Sequence, residues 1–129
     1  MRNNFPVELI AELGSGPREV SRARRALSTS LTDWGWAGDS ADIAILLTSE
    51  LVTNAIRHGD SPILLRAGLV RDRLRVEVVD HAVDGVAVRK AHEDDEDGRG
   101  LHLVDALADS WGWSPIMNGK HVWFELGRV

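Results

Sequence analysis

The chain has 129 residues, of which 43% are hydrophobic and 27% charged, with a net charge of −5 and no cysteine. This length fits one domain with a single core, and the composition is typical of a folded globular protein. The lack of cysteine excludes disulfides, thiolate metal sites and a cysteine nucleophile. The acidic balance argues against nucleic-acid binding, which needs a basic surface. Without an apolar run of signal-peptide or membrane-span length, a cytoplasmic location is the simplest expectation.

Hydrophobic periodicity predicts the elements of the first half of the chain. Loose alternation predicts a strand over residues 5–13, and the break after it contains Pro17, which suits a first helical position. A helix follows, because apolar residues recur at steps of three and four along one face: Val20, Ala23, Leu27, Leu31 and Trp34. A second helix is expected from a cap at Asp39 or Ser40 to about Arg57.

Strand patterns begin after this helix. A strand is predicted from Pro62 to about residue 70, and Arg71-Asp72 makes a tight turn into a second strand over residues 73–80. Apolar and charged residues alternate in that second strand, which predicts one buried face. A loop over residues 81–97 leads to a third helix that starts at Gly98-Arg-Gly100.

The last segment of the chain predicts a hairpin. Strands are expected over residues 111–116 and 121–126, joined through Asn118-Gly119, which is a strong two-residue turn signal. The resulting element order is β-α-α-β-β-α-β-β. Neighbouring strands with short turns imply a mainly antiparallel sheet with helices on one face, so the predicted fold class is a two-layer α+β sandwich.

The second helix carries polar residues where apolar ones are expected. At about 100° per residue, Glu50 and Asn54 share a stripe with Ile43 and Leu47, and the opposite side is apolar as well, which predicts a helix covered on both sides. Polar groups within a buried stripe need partners. The Asn54 amide oxygen would suit hydrated Mg²⁺, and Glu50 could deprotonate a nearby hydroxyl. The alternative is that Glu50 pairs with Arg57 or another cation at the edge of the helix.

Two further features suggest ligand contacts. Asp80 shares strand parity with three apolar residues, so it is expected to point inward, where it either accepts a hydrogen bond from an adenine amine or caps the following turn. Gly98-Arg-Gly100 starts a helix whose free N–H groups favour a phosphate, with Arg99 as an added contact, although such a pattern is often only a turn. Together with the second helix, these are the parts of an ATP site.

The same residues carry a resemblance to a known family. Glu50-Leu-Val-Thr-Asn54-Ala-Ile-Arg57-His58-Gly59 resembles the N-box of the GHKL ATPases, the superfamily that includes histidine kinases and gyrase. Asp80 stands where the first glycine box of that superfamily has its adenine-binding aspartate, and Asp97-Gly98-Arg99-Gly100-Leu101 resembles the second glycine box. The small size and the ending Gly119-Lys-His-Val-Trp-Phe-Glu-Leu126 resemble the anti-sigma-factor serine/threonine kinases and related small bacterial ATP-binding proteins.

The resemblance implies a Bergerat-type fold covering residues 1–129, with ATP and Mg²⁺ held between helices and sheet under a lid of about residues 81–97. It implies that Glu50 is the catalytic base, that Asn54 is the Mg²⁺ ligand and that Asp80 binds the adenine amine. The residues assigned to cofactor binding are Asn54, Asp80, Ala82, Gly98, Arg99, Gly100 and Leu101.

The resemblance also implies a function. Such kinases bind a sigma factor and phosphorylate an anti-sigma antagonist, and they are often dimers, which leaves a homodimer open here. Two departures leave alternatives: Ala82 and Asp84 replace favoured glycines, and five consecutive acidic residues, 93–97, lie beside the expected phosphate site. The alternatives are a nucleotide-gated binding module without phosphotransfer and a folded domain that has lost nucleotide binding and binds its partner constitutively.

Overall fold

A computed structural model describes residues 5–58, 62–81 and 99–128 of the chain. In chain order, the elements are β1 Leu9–Leu13, α1 Glu19–Asp33, α2 Gly38–His58, β2 Ile63–Val70, β3 Arg73–Asp80, α3 Arg99–Leu107, β4 Ser110–Ile116 and β5 Gly119–Leu126. The strands form one antiparallel sheet in the order β1-β2-β3-β5-β4. The predicted α+β sandwich and its element order are confirmed.

The helices cover one face of the sheet, and α2 is the central helix. It packs against α1, α3 and strands β2, β3 and β5. The core between the layers is apolar, and its largest members include Leu27, Leu31, Leu47, Leu65, Leu74, Val76 and Phe124. Each such side chain contributes about 1.5–3 kcal/mol when fully buried, so this layer contact holds α2 against the sheet. None of the helices in the described ranges combines the length and apolarity needed to cross a bilayer.

The β2–β3 turn sets the register of the sheet centre. Both turn residues have positive φ, 55° for Arg71 and 67° for Asp72, which is typical of the type I′ turn that matches strand twist. Leu69 therefore pairs with Leu74, and every second pair along both strands faces the helices. The predicted tight turn is confirmed.

Strand β1 is shorter than predicted, because it begins at Leu9 rather than at residue 5. Pro6 has no N–H to donate to a strand ladder. Phe5 instead lies across the face of the sheet opposite the helices, where its ring centre is 5.6 Å from the Arg66 guanidinium carbon and 5.5 Å from that of Arg75. The first residues described thus cover part of that outer face.

The starts of α1 and α2 also differ slightly from prediction. Helix α1 begins at Glu19, and Pro17 lies in the preceding turn rather than at the first helical position. The Gly14 N–H donates to Glu19 Oε1 at 2.8 Å, which closes that turn onto the helix. Helix α2 begins at Gly38, slightly before the predicted cap.

The last hairpin turns one residue earlier than predicted. Ile116 pairs with Gly119, so the turn consists of Met117 and Asn118, and Asn118 has the positive φ of 64°. Gly119 belongs to β5, and a Cβ built on it would overlap the carbonyl oxygen of Asp80. The glycine is therefore required by the close approach of β5 to β3, not by the turn.

The buried face of α2 differs from the predicted stripe. Its buried residues recur at steps of three and four: Ser40, Ala44, Leu47, Thr48, Leu51, Val52 and Ala55. Glu50 and Asn54 lie at the border of this face and are half-buried, so the expectation that both interrupt a buried stripe was wrong. The reason is that α1, α3 and the sheet enclose one wide face of α2 rather than two opposite stripes.

Candidate functional site

A partly enclosed pocket lies between α2, the start of α3 and strands β3 and β5. Its walls are Leu51, Asn54, Ala55, His58, Val78, Asp80, Leu101, Lys120 and Val122. Mostly apolar walls with a few convergent polar side chains are typical of small-ligand pockets. The pocket brings together three of the residues predicted from the sequence: Asn54, Asp80 and Leu101.

Helix α2 supplies one wall of the pocket. Leu51, Asn54 and His58 follow each other at steps of three and four, so they lie on the same side of the helix. Asn54 is half-buried, and its side chain forms no hydrogen bond with another described group. An amide oxygen in this position is a hard ligand, which fits the predicted Mg²⁺ contact.

Asp80 lies at the end of β3 and points into the pocket, as its strand parity predicts. It is only 2% exposed, and Lys120 on β5 is 3% exposed. The two residues are directly paired across the strands, and Lys120 Nζ lies 2.8 Å from Oδ2 and 3.1 Å from Oδ1 of Asp80. The carboxylate is therefore held by a buried ion pair, which was not predicted from the sequence.

Lys120 is the pocket residue that the sequence reasoning missed. It shares strand parity with Val122, Phe124 and Leu126, which face the helices. The predicted strand began at residue 121, so Lys120 was left in the turn. Extending the alternation by one residue would have placed a lysine among apolar neighbours, which is the signal that was available.

Glu50 lies one turn before Asn54 on α2 but does not line the pocket. It is half-buried, and it forms no ion pair with any described residue, so the alternative pairing with Arg57 is absent. Glu50 is therefore near the pocket residue Asn54 along the chain, but its carboxylate is not part of the pocket wall. Its role as a base stays a prediction.

The glycine-rich turn is described only in part. Helix α3 begins at Arg99, and Leu101 in its first turn is 2% exposed and lines the pocket. The helix N-terminus, where free N–H groups favour phosphate, therefore lies at the pocket. The predicted contacts of Ala82 and Gly98, and the predicted lid beyond His81, lie outside the described residues, as does the side chain of Arg99.

The donor set of the pocket is compatible with a metal that is bound mainly through a nucleotide. Within residues 5–58, 62–81 and 99–128, no three His, Cys, Asp or Glu side chains are grouped closely enough to hold a metal ion. Mg²⁺ needs few protein ligands, because it keeps several waters and binds phosphates. Asn54 and a helix N-terminus on one pocket therefore fit ATP with Mg²⁺.

A second polar cluster lies on the outer face of the sheet. Glu77 is fully buried there, with Arg75 Nε at 2.9 Å, His121 Nε2 at 3.5 Å and Arg66 Nη1 at 3.4 Å from its carboxylate. Alternation predicted that Glu77 faces away from the helices, which is confirmed. Its complete burial was not predicted, because the covering side chains come from other strands and from Phe5.

Comparisons with known proteins identify the family. Residues 13–126 match the histidine kinase-like ATPase domain. Among solved structures, the RsbU and RsbW domains of Rv1364c from Mycobacterium tuberculosis match 95% of this chain with a TM-score of 0.73 and 20% identity. A histidine kinase domain from Erythrobacter litoralis matches 81% of the chain with a TM-score of 0.56 and 20% identity. The histidine kinase AdeS from Acinetobacter baumannii matches 95% with a TM-score of 0.56 and 10% identity.

These structural likenesses establish the fold. The chain spans 32% of the Mycobacterium structure, 60% of the Erythrobacter domain and 68% of the Acinetobacter kinase. No curated protein matches the chain in sequence. The family match covers nearly the whole chain and includes every element from the end of β1 to the end of β5. The chain belongs to the histidine kinase-like ATPase family, as its N-box and second glycine box indicated.

Proposed function

We propose that this protein binds ATP with Mg²⁺ in the pocket between α2, α3 and the sheet, and that it is an anti-sigma factor serine/threonine protein kinase. The observation that carries the proposal is the convergence of Asn54, Asp80 and the first turn of α3 on one apolar pocket. These three parts come from separate elements, and each lies in a motif of the ATPase family. Their convergence supports an ATP site better than any one motif does.

Each part of the pocket has a role in this proposal. Asp80 accepts a hydrogen bond from the adenine amine, because an ionised carboxylate offers acceptors only. Asn54 holds the Mg²⁺ that neutralises the phosphates. The N–H groups at the start of α3, with Gly98 and Gly100 allowing close approach, face the phosphates, and Arg99 adds a charged contact.

Phosphoryl transfer would depend mainly on positioning and charge neutralisation. Bound ATP with Mg²⁺ would supply the phosphoryl group, with ADP as the leaving group. Glu50 then accepts the proton of a serine or threonine hydroxyl on the antagonist protein. Its lack of an ion pair among the described residues leaves the carboxylate available for that proton.

The proposed partners are a sigma factor and an anti-sigma antagonist, in a partner-switching circuit in the cytoplasm. Support comes from the structure that contains RsbU and RsbW domains, whose TM-score of 0.73 exceeds the 0.56 of the two histidine kinases. The small bacterial kinases that the sequence resembles also favour a homodimer.

One observation favours a second candidate, a nucleotide-gated binding module without phosphotransfer. Glu50 is not among the pocket walls, whereas Asn54, Asp80 and Leu101, which we assign to nucleotide binding, are. In this alternative, ATP binding changes which partner protein the domain binds, and no phosphoryl group is transferred. The two candidates share the ATP site and differ in whether Glu50 has a chemical role.

Two experiments test the proposal. Calorimetric titration with ATP, with and without Mg²⁺, is expected to show saturable binding that Mg²⁺ strengthens. A lack of saturation at millimolar ATP would rule out both candidates.

In the second experiment, labelled ATP is incubated with antagonist proteins encoded by neighbouring genes. Glu50→Gln is expected to abolish labelling while ATP still binds, and Asp42→Asn, an exposed carboxylate on the same helix, serves as the control. Labelling that survives Glu50→Gln would exclude Glu50 as the base.

A further inference from the structure

Lys120 is a charged pocket residue to which the proposed ATP site assigns no role. We propose that Lys120 is a base-specificity residue: its ammonium orients Asp80 and also donates a hydrogen bond to N1 of adenine, so that the pair reads two adjacent atoms of the base. This inference rests on the proposed ATP site and concerns how that site selects its nucleotide.

The geometry places the ammonium and the carboxylate as one unit in the pocket. Lys120 and Asp80 are directly opposite on β5 and β3, and both line the pocket. The next pair on the same face of the sheet, Val122 and Val78, also lines it. The backbone hydrogen bonds between β3 and β5 therefore fix the Asp80–Lys120 pair relative to the two valines. This restricts the orientations that the charged pair can adopt.

The hydrogen-bonding capacity of the pair exceeds what the pair itself uses. An ammonium group has three N–H donors, and each carboxylate oxygen accepts more than one hydrogen bond. The two oxygens of Asp80 take two donors of Lys120, at 2.8 and 3.1 Å, and no further acceptor for the third donor is found among the described residues. In the proposed site, the third N–H of Lys120 is therefore a donor beside the Asp80 carboxylate, to which we assign the adenine amine.

That arrangement matches one edge of adenine. The N6 amine of adenine is a donor, and the neighbouring N1 is an acceptor, so the amine would meet Asp80 and N1 would meet Lys120. In guanine, O6 is an acceptor and N1–H is a donor. A guanine held in the same position would therefore place O6 against the Asp80 carboxylate and N1–H against the Lys120 ammonium, and neither contact is a hydrogen bond. A site that leaves buried polar groups unpaired rejects such an analogue strongly.

Stability alone does not account for a lysine at this position. Both members of the pair are at least 97% buried, since they are 3% and 2% exposed. Replacing a buried ion pair with apolar residues of similar volume is often neutral or stabilising, because desolvation offsets the attraction between the charges. Recognition of the base by hydrogen bonds would explain why this ion pair is present, whereas packing does not explain it.

The test compares ATP with 1-deaza-ATP, in which C–H replaces N1, by equilibrium titration of the unaltered protein. Loss of one charge-assisted hydrogen bond is expected to weaken binding by roughly tenfold or more. The analogue 7-deaza-ATP, altered on the other side of the base, is the control and is expected to bind like ATP. Equal binding of ATP and 1-deaza-ATP would overturn the role of Lys120.

The variant Lys120→Met tests the same contact from the side of the protein. It is expected to bind ATP more weakly than the unaltered protein and to bind ATP and 1-deaza-ATP equally, with folding checked by thermal unfolding. A Lys120→Met protein that still distinguishes the two nucleotides would contradict the inference. Should this variant not fold, the titrations of the unaltered protein decide the question. If the unaltered protein binds no ATP, the proposed ATP site itself is wrong, which distinguishes that failure from an error in the role of Lys120 alone.

Discussion

Glu77 is fully buried on the outer face of the sheet, and its Oε2 lies 3.5 Å from Nε2 of His121. Arg75 Nε donates to the same oxygen at 2.9 Å. Burial by itself raises the pKa of Glu77, but the contacts with His121 and Arg75 outweigh it, so the pKa of the carboxyl lies below its usual value of 4.5. The cluster therefore stabilises the ionised form in the folded protein.

This relationship predicts a pH dependence of stability. Because the pKa of Glu77 is lower in the folded than in the unfolded chain, its stabilising contribution is present above pH 4.5 and is lost as the pH falls through the lowered pKa. Glu77→Gln is expected to reduce the free energy of unfolding by about 1–3 kcal/mol near neutral pH, with a smaller difference in acid.

Urea unfolding of both proteins between neutral pH and strong acid measures this difference. Glu12→Gln is the control, since Glu12 lies on the same face of the sheet and is exposed. A difference between Glu77→Gln and the unaltered protein that does not change with pH would contradict the lowered pKa.

Gly119→Ala is expected to destabilise the fold, because the added Cβ would overlap the Asp80 carbonyl oxygen. Backbone cannot move aside as a flexible side chain can, so the expected loss is about 3 kcal/mol, the upper end of the usual range for overpacking. Gly14→Ala is the matched control, since a Cβ there meets nothing within 4 Å. Thermal unfolding checks both variants, and similar midpoints would show that β5 does not approach β3 this closely.

Asn54→Ala is expected to remove the Mg²⁺ dependence of ATP binding while leaving metal-free binding nearly unchanged. The amide oxygen is the proposed ligand, whereas the apolar walls and Asp80 remain in place. We expect an affinity loss of roughly tenfold in Mg²⁺, the scale of one strong polar contact. Calorimetry with and without Mg²⁺ provides the measurement. The assignment fails if both affinities fall by the same factor.

Asp80→Asn is expected to reduce the preference for ATP over GTP by roughly tenfold, because an amide offers both a donor and an acceptor where the carboxylate offers acceptors only. Competition between the two nucleotides measures the preference directly. Asp39→Asn, on the exposed start of α2, is the control. Equal binding of ATP and GTP by the unaltered protein would remove the basis for this role.

The sequence by itself determined the elements and two of the polar residues that line the pocket, Asn54 and Asp80. Periodicities of two and near four specify strands and helices locally, so β3 and the buried side of Asp80 followed from alternation alone. Asn54 followed from its place on a helix pattern, and Leu101 from the resemblance of its motif to the second glycine box, because a motif combines residue chemistry with spacing along the chain. Periodicity and motif spacing can be recognised without knowing which helices and strands are neighbours in the fold.

The tertiary structure alone decided which residues are neighbours. Alternation states which face a side chain occupies, but the partner strand is set by long-range backbone pairing, so the contact of Lys120 with Asp80 and the burial of Glu77 were not predicted. Tertiary packing also decided that Glu50 and Asn54 are half-buried. The width of the buried face of α2 depends on how α1, α3 and the sheet enclose the helix.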